Sequence, residues 1–363
     1  MKIHGRHYRT IWLAEDGWSV KIIDQTKLPH SFETAQLTTA GQCAHAIKSM
    51  QVRGAPLIGA TAAYGVCLAL RQDASDRSID EVIAYLENQR PTAINLKWAL
   101  QQMRNAVKDL PPGERVEAAY QQAKKIADDD VETNRRIGVH GAAIIRQMAA
   151  DKKDAPLNIL THCNAGWLAT VDWGTALSPV YQAHDANIPI HVWVDETRPR
   201  NQGSALTAYE LSAHGVPCTI ITDNAGGHLM QTGQVDLCIV GTDRTARNGD
   251  VANKIGTYLK ALAAHHNNIP FYVALPHSTI DWSINKGSDI PIEERDSDEV
   301  LKISGRTASG SVVSVEIAAP QSQAANFAFD VTPAALVTGL LTERGLCPAS
   351  VQGLKDLYPE RQQ

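Results

Sequence analysis

Hydrophobic and polar positions along the chain change period near residue 150. Before it the pattern is helical. The run GAPLIGATAAYGVCLAL at 54–70 is apolar on nearly every face, and Pro56 suits a first helical turn, so a buried helix is predicted. SIDEVIAYLENQ at 78–89 opens on Ser and Asp and spaces Val82, Ile83 and Leu86 along one stripe; NLKWALQQMRNAVKDL at 95–110 repeats the theme. DVETNRRIGVHGAAIIRQMAA at 130–150 predicts a further helix that tolerates two glycines, with the acidic ADDDVE at 127–132 as the charge cluster of a helix N-terminus.

The polar DKKDAP at 151–156 marks a boundary, and beyond it short β-rich runs alternate with helical stretches: LNIL, IHVWV, CTIIT, DLCIV, FYVAL and the weaker FAFDV. This rhythm predicts βαβ units, with strands parallel in a sheet covered on both faces. The expected fold is therefore α/β: a mostly helical N-terminal domain over 1–150, then a Rossmann-like domain over 151–363 with a largely parallel sheet. Ligands in such sheets sit beyond the carboxyl ends of the strands. Those ends read THCN, DETRPRNQG, TDN, GTDRTARNGDVANK and PHST, all polar. One polar loop is ordinary solvation; five in register point to a site.

Composition narrows the chemistry. The 363 residues carry a net charge of -5, with 44% hydrophobic and 20% charged positions, and no long block of Lys or Arg. That leaves no footprint for nucleic acid or an anionic membrane, and a small-molecule partner is expected. MKIHGRHYRTIWLAEDGWSV lacks a sustained apolar stretch, so the chain is expected in the cytosol. Six scattered cysteines without a C-x-x-C pair predict reduced thiols and neither a zinc knuckle nor a disulfide framework. No G-x-G-x-x-G follows a strand, and P-loop, H-E-x-x-H and G-x-S-x-G patterns are absent. Hydride transfer to nicotinamide, nucleotide hydrolysis and the common hydrolase routes are therefore not expected.

In VRGAP at 52–56, Arg53 offers a guanidinium fork and the amides of Gly54 and Ala55 precede a helix start, a combination suited to an anion. Arg90 in NQRPTAINL repeats the arrangement. Taken in order, RGAPLIGATAAYG, RPTAINL, THCNAG, VDETRPRNQG, GTDR and NGDVANKIGTY resemble the methylthioribose-1-phosphate isomerases of methionine salvage, over roughly residues 50 to 335. That family belongs to the wider group containing the regulatory subunits of translation initiation factor 2B. The resemblance implies a cofactor-free aldose–ketose isomerase, a pentose 1-phosphate as substrate, and a homodimer. It implies Cys163 and Asp243 as the catalytic pair, and Arg53, Gly54, Ala55, Arg90, Gln202, Asn253 and Lys254 as substrate-binding positions.

Physical chemistry supports the pairing. Phosphate blocks the anomeric carbon, so the ring does not open as a free hemiacetal does; an acid must protonate the ring oxygen while C2 loses hydrogen. Asp243 follows the apolar LCIVG, where burial would raise its pKa into an acid's working range. Cys163 stands where a strand is expected to turn into a helix, whose amides would favour a thiolate base. Hydride transfer from C2 to C1, with the thiol only polarising, is the alternative to proton transfer, which is the expected route.

Each residue also has a plainer explanation: a strand-end cysteine as a small hydrophobe, Asp243 paired with Arg244, Lys254 and Asn253 as a solvated helix start. His162 is expected to point away from the thiol's face, since neighbours on a strand alternate. Asp195, Glu196 and Asp223 fit a helix cap or a pocket wall, and YPERQQ reads as a frayed tail.

Two departures from the family pattern stand out. GTDR replaces GADR, adding the Thr242 hydroxyl near the expected acid. Asn224-Ala225-Gly226-Gly227 replaces a bulkier segment; if it lines the pocket for the 5-substituent, 5-deoxyribose 1-phosphate becomes an alternative substrate. Ribose 1,5-bisphosphate is another, and would require extra basic residues at the far end. From a different class, the rival is a noncatalytic regulatory subunit of the initiation factor type.

Overall fold

A computed structural model describes residues 1–3, 5–90, 93–152 and 155–361. Pro91 and Thr92 of the RPT motif, Lys153 and Asp154 of the boundary segment, and the last two residues lie outside the described residues. An antiparallel sheet that the helical reading missed comes early in the chain: β1 (Ile11–Leu13), β2 (Val20–Ile23) and β3 (Thr34–Leu37). Five helices follow, α1 (Ala40–Lys48), α2 (Ala55–Leu70), α3 (Asp76–Glu87), α4 (Ile94–Val107) and α5 (Pro112–Ala150). α2 is buried along almost its whole length, as its all-round apolar sequence requires.

α5 is far longer than expected. Pro111 and Pro112 start it, at a position where a missing N–H costs nothing, and 39 residues continue without a break. The acidic ADDDVE therefore sits in mid-helix, not at an N-terminus. There Asp128 accepts Arg9 Nη1 at 2.6 Å and Asp130 accepts the Val171 amide at 2.7 Å, so these carboxylates tie the helix to distant loops. Gly138 and Gly141 are tolerated because the helix touches α6 (Ser178–Asp185) there, with Gln182, Ser178 and Pro179 filling the space a Cβ would take.

The second half alternates as its pattern predicts: β4 (Leu157–Thr161), α6, β5 (Ile190–Asp195), α7 (Ala208–His214), β6 (Cys218–Ile221), α8 (Ala225–Gln231), β7 (Leu237–Val240), β8 (Arg244–Ala246), β9 (Val251–Lys254), α9 (Thr257–His266) and β10 (Phe271–Ala274). After these come β11 (Ile280–Asp281), the hairpin of β12 (Lys302–Arg306) and β13 (Val312–Glu316), β14 (Phe329–Thr332), β15 (Gly339–Thr342) and β16 (Gly345–Cys347). One seven-stranded sheet has the order β16-β15-β10-β7-β4-β5-β6, parallel throughout except for the last hairpin at its edge.

FAFDV does not join that sheet. Its Phe329–Thr332 part pairs antiparallel with β9 in a second, four-stranded sheet of order β11-β8-β9-β14. The sixth parallel strand is Gly339–Thr342, whose GLLT is short and begins with glycine, so its signal is weak. YPERQQ departs from expectation as well: Tyr358 is buried, stacks edge-on with Trp282 and donates its hydroxyl to Glu343 at 3.1 Å.

Among the apolar cores, two are joined by α5, and a third packs Leu160, Val240, Phe271 and Leu340 against α8 and α9. Of the joined pair, one gathers Val20, Ile22, α1, α2, α4 and the first half of α5; the other packs the second half of α5 and α6 on the parallel sheet. Each fully buried Leu, Ile or Val contributes on the order of 2 kcal/mol, and α5 adds such residues to both. No described helix is long and apolar enough to cross a membrane, and all six cysteines are free.

Candidate active site

β4 lies inside the parallel sheet, with β7 on one side and β5 on the other, and carries polar chemistry at its end. Past Thr161 the backbone turns sharply. Cys163 adopts φ +65°, a left-handed conformation that costs a non-glycine residue about 1 kcal/mol or more, and its amide donates to Thr197 Oγ1 at 2.9 Å. Thr197 is left-handed as well, at φ +67°, and Asp223 holds it by accepting the amides of Thr197 and Arg198, both at 2.7 Å. Strain that is held by several hydrogen bonds marks an aimed side chain.

The helix expected directly after Cys163 is not there. The chain runs on through a short 3-10 turn at Trp167–Ala169, and α6 begins only at Ser178. No helix amides activate the thiol; burial pushes it up, opposed by the cations of Arg53 and Lys254 and reinforced by Asp243.

Asp243 follows β7 and lies against β9, its amide donating to Ala252 O at 3.0 Å. Together with Ala55, Ile58, Arg90 and Phe329 it lines a small cavity of about 30 Å³. Desolvation pushes its carboxyl up, while Lys254, Arg90 and Arg53 pull it down. The direction is the one an acid needs. Thr242 does not tune it through a hydrogen bond: its one hydroxyl hydrogen is shared between Arg244 O and Ala252 O, both 2.9 Å from Oγ1, and so fastens the turn between β7 and β8.

Lys254 and Asn253 are neighbours on β9 and point to opposite faces. The Lys254 ammonium is buried, 5.0 Å from the Phe329 ring centre, and is held down by desolvation against the attraction of Cys163 and Asp243. The Asn253 amide instead donates to Thr257 Oγ1 at 3.0 Å. Arg90 is mostly buried, its Nη2 3.5 Å from Glu293, and its Nε has no hydrogen-bond partner among the described residues. A buried guanidinium N–H without an acceptor is a place for a ligand oxygen.

Gly54 caps α2 with φ +92°, and a Cβ there would overlap the Ala169 carbonyl oxygen. Close approach of two backbones thus brings the helix start to the strand-end loop. Arg53 reaches across to the same loop: Nη1 donates to Asn164 Oδ1 at 2.6 Å and Nη2 to Asn164 O at 3.0 Å. Asn164 Nδ2 in turn donates to the buried Glu210 carboxylate and, at 3.1 Å, to Thr207 Oγ1. Glu210 is thus a remote support for Arg53 that sequence reading missed; AYELSAH carries no sign that its one acidic residue faces inward.

Burial pushes Glu210 up from 4.5 to about 7. The native state therefore holds that proton more tightly than the unfolded chain, and its contribution to stability is present below pH 4.5 and lost as pH rises through 7. Glu210→Gln removes this dependence. Denaturation midpoints of variant and native protein, measured from pH 4.5 to 7, should converge or cross as pH rises; parallel curves would contradict the assignment.

Gln202 lies at the start of a five-residue π-helix, Gly203–Thr207, a geometry common at functional sites. It is buried, and its Oε1 has no partner among the described residues. Gln202 and Arg53 line an open cleft of about 640 Å³ with Met50, Leu206 and the hairpin residues Lys302 and Ser314. This cleft and the cavity at Asp243 flank the Cys163 region. Asn224–Gly227 lies elsewhere, in the first turn of α8, where Gly226 gives close contact to Leu160 and Lys260, 3.0 and 3.2 Å from an added Cβ. The small residues serve helix packing here, and none of the four lines the cleft at Gln202 or the cavity at Asp243.

A strand-end carboxylate and thiol, a helix start and the three cations Arg53, Arg90 and Lys254 thus converge on one region. The chain belongs to the initiation factor 2 subunit family, whose model matches residues 51–349. Within that family it is 62% identical to the methylthioribose-1-phosphate isomerase of Methylorubrum extorquens, over 99% of both chains. Among solved structures it is similar to the 5-methylthioribose 1-phosphate isomerase of Pyrococcus horikoshii, with a TM-score of 0.83 and 41% identity over 98% of this chain and 97% of that one. Subunit delta of translation initiation factor eIF-2B from A. fulgidus gives a TM-score of 0.80 and 39% identity over 97% and 100%.

Proposed function

We propose that this protein isomerises 5-methylthioribose 1-phosphate to 5-methylthioribulose 1-phosphate. One observation carries the reading: Cys163 and Asp243, from two separate strand ends, share a single charge network with Arg53 and Lys254. A regulatory scaffold has no need of a desolvated acid and a buried thiol in one crevice. A cytosolic homodimer belongs to the same reading.

The phosphate is assigned to Arg53 and the amides of Gly54 and Ala55, where helix start and guanidinium reinforce one another. Arg90 Nε and Gln202 Oε1, the unpartnered groups, take sugar or phosphate oxygens and hydroxyls. Asn253 positions Lys254 by fixing the end of β9. Asp243, whose hold on its proton desolvation strengthens, gives that proton to the ring oxygen as the bond between C1 and the ring oxygen breaks. In the proton route Cys163 takes the C2 proton and returns it to C1; Arg53 and Lys254 supply the positive charge that a thiolate requires. The burial of the thiol favours the second route, in which hydrogen passes from C2 to C1 as hydride while the 2-hydroxyl gives its proton to the Asp243 carboxylate left after ring opening.

Alternative substrates have less support. A second phosphate needs free cations along the cleft, whereas Arg200 is paired with Glu299 at 2.8 Å and Lys302 with Asp298 at 2.7 Å. Methylthioribose 1-phosphate and 5-deoxyribose 1-phosphate, offered together and followed by NMR, should both react, the methylthio compound faster by up to about 100-fold, since one apolar substituent discriminates by 1–3 kcal/mol. With deuterium at C2, exchange for solvent hydrogen indicates the proton route and full retention at C1 the hydride route. Turnover of neither sugar refutes the reading.

A further inference from the structure

His162 precedes the thiol, and its ring faces acceptors on both sides. Nδ1 is 2.8 Å from Asp195 Oδ2, and Nε2 is 2.8 Å from the Ile255 carbonyl oxygen. A carboxylate and a carbonyl accept and never donate, so two good hydrogen bonds require hydrogen on both ring nitrogens. A neutral imidazole would set a lone pair against one of those oxygens.

The surroundings accommodate the charge. Asp195 is fully buried, and the same Oδ2 takes the Lys260 ammonium at 3.1 Å. Lys260 also donates to the Asp223 carbonyl. His162, Asp195 and Asp223 have the spacing of metal ligands, but the Lys260 ammonium already stands among them in a cation's place. The other titratable groups around this cluster are Asp330 beyond the Gly256 turn, Cys163 next in the chain and Cys238 on β7, which faces Asp195 and Lys260.

What the ring holds is the turn after Lys254. Gly256, at φ +102°, lies flat against the imidazole, and an added Cβ would come 3.0 Å from Cε1 and 3.1 Å from Nε2. From the opposite side Asp330 accepts the amides of Gly256 at 2.7 Å and Tyr258 at 3.1 Å. The Ile255 amide donates to Ala328 O at 3.0 Å. The turn is gripped from both flanks, and Lys254 is the residue just before it.

We propose that His162 is a positioning residue that acts as an imidazolium, donating through both ring nitrogens to lock the Ile255–Gly256 turn and hold Lys254 in register with Cys163 and Asp243. Its kinetic consequence rests on the isomerase reading; its protonation does not. Of the 13 histidines, His162 is the one buried among the described residues, so its ring protons exchange most slowly. In protein labelled with nitrogen-15 histidine, at neutral pH, both ring nitrogens of the slowly exchanging residue should carry hydrogen. Both signals should vanish in His162→Gln. A single protonated nitrogen overturns the proposal.

For folded His162→Gln, kcat should fall about 10- to 100-fold with KM within about threefold of the native value; unchanged kcat overturns the positioning role. Should that variant not fold, Gly256→Ala pushes the same turn off the ring, with the same kinetic expectation. If the native protein fails to turn over methylthioribose 1-phosphate, the functional reading fails while the spectrum still decides the histidine.

Discussion

Asp243→Asn should lower kcat by about 10³-fold and leave substrate binding within a few-fold of native, in keeping with the usual worth of a positioned general acid. The amide preserves shape and the local turn, because Asp243 is fixed through its backbone amide to Ala252 O and Thr242 fastens the rest. What it loses is the transferable proton. Binding should survive because the phosphate is assigned to Arg53 and the start of α2, on the other side of the crevice. Isothermal titration with substrate, alongside single-turnover rates, separates the two quantities. A variant retaining more than a tenth of native kcat would remove Asp243 from the acid's role.

Gly54→Ala is expected to be among the most damaging single added methyl groups in the chain. Two penalties act together: φ +92° is strained for any L-residue, and the new Cβ would sit inside the Ala169 carbonyl, which is backbone and cannot swing aside. Strain and overpacking together amount to about 3–5 kcal/mol. The denaturation midpoint should drop accordingly, and KM should rise, since Gly54 and Ala55 carry the amides assigned to the phosphate. Gly113→Ala is the control. It lies in the first turn of α5 with nothing within 4 Å of an added Cβ, and should be neutral or slightly stabilising. Equal behaviour of the two variants would refute the steric argument.

Much of this architecture was legible because periodicity is a local property. α2, the stripe of α3 and the first five parallel strands announce themselves by which side chains must leave water, and residues just past those strands converge as parallel topology requires. Misplaced features depend on distant partners. Nothing within ADDDVE says that Arg9 and the Val171 amide will meet it, so a mid-helix cluster resembled a helix start. FAFDV has a strand's composition, yet which sheet it joins is decided by pairing with Val251–Lys254. At the site, Cys163, Asp243, Arg53, Arg90 and Lys254 come together as their motifs suggest, whereas the support from Asn164 and Glu210 arises only in three dimensions. Thiol activation was misjudged for a similar reason: a strand end in a βαβ unit usually leads directly into a helix, and here a strained loop intervenes.

The helix Pro112–Ala150 spans about 58 Å at 1.5 Å per residue and inserts one end into each of the two cores it joins. It acts as a shared axle. Neither lobe can melt without stripping apolar cover from the other, so the molecule should denature as a single cooperative unit, and a fragment cut near residue 130 would leave two raw faces. Any breathing that admits a sugar must then come from short connectors such as the Arg53 turn and the hairpin between Lys302 and Glu316, swinging about a rod that does not bend.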